Sequence, residues 1–128
     1  MTVKRLNDML KKETKLPRSV ESYIRAINAG DAVELHSSFA HDAVVKDVGR
    51  EFRGAEAIKE WADREIFAVK VALEVMGVAE RDGQTVVTVK IEGTFDRTGL
   101  PDPLLMDHSF MVVGGKIATL ICRLTGEP

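Results

Sequence analysis

The chain is predicted to fold as an α+β domain in which helices come first and a curved, mostly antiparallel sheet follows. Two observations predict it. Apolar residues in the first half recur at helical spacing, and from residue 69 onward the period changes to two. The pairs Asp82-Gly83 and Gly114-Gly115 then cut the alternating half into long strands joined by tight turns. Helices followed by a meander of strands place the helices on one face of one sheet.

The elements follow in order. Residues 3–13 can form a short helix with Val3, Leu6 and Leu10 on one side, and Pro17 interrupts that pattern and opens the next helix. From 18 to 29, Val20, Tyr23, Ile24 and Ile27 fall at i, i+3, i+4, i+7, so Tyr23 belongs to a buried stripe. Gly30 supplies a left-handed stop. Asp31 caps a second short helix, and Glu34 three residues on completes a capping box. Leu35 and Phe39 share a face of that helix. His41-Asp42 is read as a turn, and 43–48 as a strand in which Ala43, Val45 and Asp47 point one way.

Gly54 opens a third helix that turns Ala55, Ile58, Trp61, Ala62 and Ile66 inward. Val69, Val71, Leu73 and Val75 alternate before the Asp82-Gly83 turn, and Val87, Val89, Ile91 and Phe95 alternate after it. Residues 97–103 hold two prolines and a glycine and read as a loop. Two further strands run over 104–113 and 116–124.

Composition narrows the function classes. The chain has 128 residues, 45% hydrophobic and 30% charged, which suits a single globular domain with its own core. Its net charge is −2 with the signs interleaved, so neither nucleic acid nor an anionic membrane surface is an expected partner. The lone cysteine, Cys122, makes no internal disulfide, which fits a reducing cytoplasm. The charged N-terminus has no apolar signal region, and no apolar run nears the roughly 20 residues of a membrane span. A cytoplasmic protein is expected.

Four local patterns resemble one family. Tyr23 to Asp31 is similar to the first-helix signature of the nuclear transport factor 2-like superfamily, and Phe39 to Val45 to its entry into the first strand. Arg53 to Ile58 resembles the start of its third helix, and Gly115-Lys116-Ile117 the turn into its last strand. The match runs in order from about 18 to 124, which sets off residues 1–17 as a helical extension and 18–128 as the domain. The nearest branches are the SnoaL-like polyketide cyclases and the ketosteroid isomerases. The resemblance implies a cystatin-like α+β barrel, a cone whose open end admits an apolar small molecule, and a homodimer through the open sheet face.

The isomerase branch uses a tyrosine on its first helix, a carboxylate base on its first strand and a protonated aspartic acid on a later strand. Tyr23 precedes Gly30-Asp31 as the isomerase tyrosine does. Asp47 closes the segment Asp42-Ala43-Val44-Val45-Lys46-Asp47, where the base stands. Asp107 in Asp107-His108 lies nine residues before Lys116, where the acid stands. The residue after the base, proline in the isomerases, is Val48 here. The resemblance thus implies an isomerase or cyclase that removes a proton beside a carbonyl, with Asp47, Tyr23 and Asp107 as catalytic groups and no cofactor.

The residues also admit plainer readings. Tyr23 would serve as a core tyrosine, and Asp107 as an ion-pair partner of Lys90 or Arg123. His108 is expected on the opposite side of its strand from Asp107, facing solvent or a partner subunit. His36 and His41 lie five apart, off a common helical face, so no metal site is expected. Trp61, Met111, Leu120 and Leu124 are core residues or, if the cone is open, its walls. The superfamily also contains non-catalytic ligand-binding or dimerisation modules, dehydratases and hydrolases, which remain alternatives.

Overall fold

The structure, a computed structural model, describes residues 16–126. The expected helix over 3–13 lies outside them. Helix α1 spans Arg18–Ala29 and α2 Ala32–Ser38, with Gly30 between them at φ 70 as the left-handed stop. Val20, Tyr23, Ala26 and Ile27 form the buried stripe of α1. Only half of the capping box forms. The Asp31 carboxylate accepts from the Glu34 N–H at 3.0 Å, while the Glu34 carboxylate turns to Arg25 at 2.5 Å.

Strand β1 covers Phe39–Asp47, so it begins earlier than the alternation suggests: His41-Asp42, read as a turn, lies within it. The reason is lateral pairing. Phe39 already lies beside Ile117 of the last strand, and the register shifts before Val44. A short strand β2, Arg50–Arg53, returns from β1 through Val48-Gly49, a hairpin that carries none of the usual Asn-Gly or Asp-Gly signal. Helix α3, Gly54–Ala62, is followed by a π-helical turn over Asp63–Phe67. Then come β3 (Ala72–Arg81), β4 (Gln84–Glu92), β5 (Leu105–Val113) and β6 (Lys116–Leu124). The turn expected at Asp82-Gly83 joins β3 to β4, while Phe95 lies beyond the end of β4.

These six strands form one sheet in the order β2-β1-β6-β5-β4-β3. Every neighbouring pair is antiparallel except β1 and β6, which run parallel. The concave face holds Val45, Val87, Val89, Phe110 and Leu120, each no more than 1% exposed, with Tyr23 of α1 packed onto Phe110 at a ring distance of 5.1 Å. Asn28 ties α1 to the far edge: its amide donates to the Leu73 carbonyl at 3.0 Å and accepts from the Leu73 N–H at 2.7 Å, standing in for a strand neighbour. Among the described residues the helices pack into one part of the concavity, and another part opens as a cavity. Among the described residues no helix is long and apolar enough to cross a membrane.

Candidate functional site

The open end of the concave face is a cavity of about 460 Å³, within the range of small-molecule sites. Register explains how its polar wall is built. Asp47 of β1 lies beside Cys122 of β6, and Cys122 beside His108 of β5. Neighbours in register point to the same face, so these three form one transverse row across adjacent strands. Two strand spacings separate Asp47 from His108, about 10 Å between backbones. One row deeper, Val45, Leu120 and Phe110 form the sealed floor under Tyr23; one row outward, Leu124 and Met106 line the mouth.

Asp47 is the anionic pole. Its Oδ2 accepts from Trp61 Nε1 at 3.1 Å and from Arg50 Nη2 at 3.1 Å. Its Oδ1 accepts no hydrogen bond from the described residues, and Asp47 lines the cavity. Arg50 reaches across from β2 and also holds Glu65 through two contacts, at 2.6 and 2.8 Å. The hydrogen bond from Arg50 draws the Glu65 carboxyl below its ordinary range against the opposing effect of burial. The wider π turn is what brings Arg64, Glu65 and Ile66 to the mouth after α3 has placed Trp61.

His108 and Tyr23 form the second pole. The Tyr23 hydroxyl lies 3.3 Å from His108 Nδ1 inside the fold. Burial raises the Tyr23 phenol well above its ordinary value, with smaller contributions from Cys122 and the charge of Asp47. Burial also lowers the His108 imidazole to about 4, against a weaker upward pull from Asp107. Both groups are therefore neutral near pH 7. The His108 Nε2 has no hydrogen-bond partner among the described residues, and the ring lines the cavity. Cys122 lies between the poles as a neutral thiol, its pKa raised by burial and then by Asp47.

The remaining walls are apolar: Ile27, Val71, Leu73, Ile91, Phe95 and Leu104 among others. Phe95 is seated by Gly93, where a Cβ would come within 2.9 Å of both the Phe95 ring and the Val69 carbonyl. The Arg97 guanidinium covers the ring at 4.8 Å. Among the described residues no group of three or more His, Cys, Asp or Glu is assembled as for a metal ion.

Of the residues singled out from sequence, Tyr23, Asp47, Trp61 and Leu124 line this cavity. Three do not. Asp107 is turned to the outer face, where it accepts from Thr88 Oγ1 at 2.6 Å instead of pairing with Lys90 or Arg123. Met111 shares that outer face and is 40% exposed, while Leu120 is fully buried in the floor. His108, expected to face outward, takes the inward place. Phe110 decides the matter: once it packs on Tyr23, Met106 and His108 must share its face, and Asp107, Ser109 and Met111 the other.

A family model described as a SnoaL-like domain matches residues 20–120. A protein from Sinorhizobium meliloti provisionally designated a polyketide cyclase is 30% identical, with a TM-score of 0.75 over 84% of this chain and 95% of that one. The Δ5-3-ketosteroid isomerase of a Mycobacterium species is 17% identical, with a TM-score of 0.67 over 84% and 90%. Rv0760c of Mycobacterium tuberculosis, crystallised with estradiol-17β-hemisuccinate, is 15% identical, with a TM-score of 0.70 over 84% and 92%. The last two likenesses speak for the fold, a cone of the nuclear transport factor 2 type. No curated protein matches the chain.

Proposed function

The chain belongs to the family of SnoaL-like domains, and from that premise we propose that it is an isomerase or cyclase acting on an apolar carbonyl compound through an enolate. One observation carries the reading: a cavity with mostly apolar walls, charged at its mouth by Arg64 and Glu65, holds a carboxylate at Asp47 and, across the same strand row, His108 with Tyr23 against it. In this scheme Asp47 Oδ1 removes the proton beside the carbonyl, while Trp61 and Arg50 hold Oδ2 and fix the carboxylate's aim. Tyr23 donates its hydroxyl proton to His108 Nδ1, which leaves the ring hydrogen on Nε2, directed at the carbonyl oxygen. A neutral imidazole donates without first losing a charge, and its hydrogen bond strengthens as the oxygen becomes an enolate. Asp47 then returns the proton to another carbon. Asp107, the donor implied by the family pattern, has no part in the scheme.

The test is the isomerisation of 5-androstene-3,17-dione, followed by the ultraviolet absorbance of the conjugated enone. Asp47→Asn is expected to lower kcat by about 10²–10⁴-fold, and Asp107→Asn to leave it unchanged. Absence of turnover by the wild type on this and related β,γ-unsaturated ketones would refute the isomerase reading and favour a ligand-binding module. We further propose that two copies associate through the outer face of the sheet, and that Cys122, a free thiol in the cavity wall, suits a cytoplasmic setting.

A further inference from the structure

Three hairpins in this fold close through two-residue turns with both residues at positive φ. The pairs are Val48-Gly49 (φ 46 and 84), Asp82-Gly83 (52 and 78) and Gly114-Gly115 (60 and 78). Each spans an ordinary two-residue register, from Asp47 to Arg50, Arg81 to Gln84 and Val113 to Lys116. Such turns favour glycine, asparagine or aspartate, because the left-handed region crowds a Cβ. Two of the three obey that rule. The third places a β-branched side chain where branching is most strained.

Nothing in the packing of the described residues calls for valine at position 48. Its side chain contributes nothing to the buried core, since the residue is 57% exposed. Its N–H donates to the Cys122 carbonyl at 3.1 Å, a bond that asparagine or glycine would make equally well. What valine adds is apolar surface at the cavity, immediately after Asp47. Leu100, 39% exposed on the loop before β5, lines the same cavity. An exposed apolar residue kept in a strained conformation beside a candidate site points to a role in the site itself.

We propose that Val48 and Leu100 form an apolar lip that contacts the outer part of a small apolar ligand, and that backbone strain at Val48 is tolerated for that contact. The inference rests on the reading of the cavity as a site for an apolar molecule. It predicts opposite signs for stability and binding in one variant.

Thermal unfolding and ligand titration of the wild type, Val48→Asn, Val48→Gly and Leu100→Asn test it. Trp61 is the only tryptophan in the chain and lines the cavity, so its fluorescence reports occupancy. The probes are 4-androstene-3,17-dione and 8-anilinonaphthalene-1-sulfonate. Val48→Asn and Val48→Gly are expected to raise Tm by roughly 4 °C and to weaken probe binding about fivefold. Leu100→Asn is expected to weaken binding to a similar degree with no gain in Tm. If the Val48 variants melt no higher than wild type, or bind within twofold of it, the lip is refuted. Binding of the dye without the steroid sinks the steroid reading of the site and leaves the dye to decide the lip. Binding of neither probe overturns both.

Discussion

His108 is a base kept from its proton. Its folded pKa of about 4 lies below the ordinary 6.5, because burial penalises the charged ring more than Asp107 favours it. The unfolded chain therefore takes up a proton below about pH 6.5 that the folded chain refuses, and stability falls as the pH drops from there toward 4. The full loss from this one group is about 3 kcal/mol. In His108→Asn that part of the decline is expected to vanish from urea titrations at pH 7, 6 and 5. An equal decline in the variant would mean that another group is responsible. The inward place of His108 is legible in the sequence, in the parity of β5 rather than in the spacing of the Asp-His pair. On one parity of β5 stand Leu104, Met106, His108, Phe110 and Val112, apolar but for the histidine, while Asp107 and Ser109 occupy the other. The spacing of Asp107-His108 from Lys116 points instead to the aspartate as the site residue, and the parity of the strand overrules it.

Helices α1 to α3 and strands β3 to β6 could be read from periodicity and turn residues, because each buries one face and those faces are written at period 3.6 or 2. What was not legible depends on lateral partners. The start of β1 at Phe39 exists because β6 pairs there, and β2 follows a Val-Gly turn that resembles no turn signal. The π turn after α3 likewise carries no local mark, yet it sets Arg64 and Glu65 at the mouth. The segment after β4 shows how one small residue shapes a wall. Thr94 donates its N–H and its hydroxyl to the Val69 carbonyl at 2.8 and 3.1 Å, and Gly93 lets Phe95 close down beside it. A Cβ at position 93 meets a backbone carbonyl that cannot swing aside. Gly93→Ala is therefore expected to cost about 1–3 kcal/mol in chemical denaturation, whereas Gly77→Ala, with nothing within 4 Å of its Cβ, should avoid such a clash. Equal steric damage at the two positions would show that Phe95 is not seated in this way.

At the scale of the whole molecule the sheet has two unlike faces. The inner one is covered by helices or opens as the cavity, while among the described residues no helix covers the outer one, where Met111 and Val113 are exposed at 40% and 62%. If that outer face joins two copies, sedimentation at micromolar concentration is expected to give the mass of two chains, and Met111→Asp that of one. A single-chain mass for the wild type would refute the association. The strand order has a further consequence, for the time course of folding. β6 is the last strand in sequence and yet lies in the middle of the sheet, between β1 and β5. Until it docks, the chain can hold a β1–β2 hairpin and a β3–β4–β5 meander as separate pieces, with Asp47 on one and His108 on the other. The parallel contact of β1 with β6 joins residues more than seventy positions apart, the kind of distant closure that forms slowly. Asp47 and His108 are therefore brought into one row only when β6 docks between their strands, and until then each stands on a separate piece of sheet.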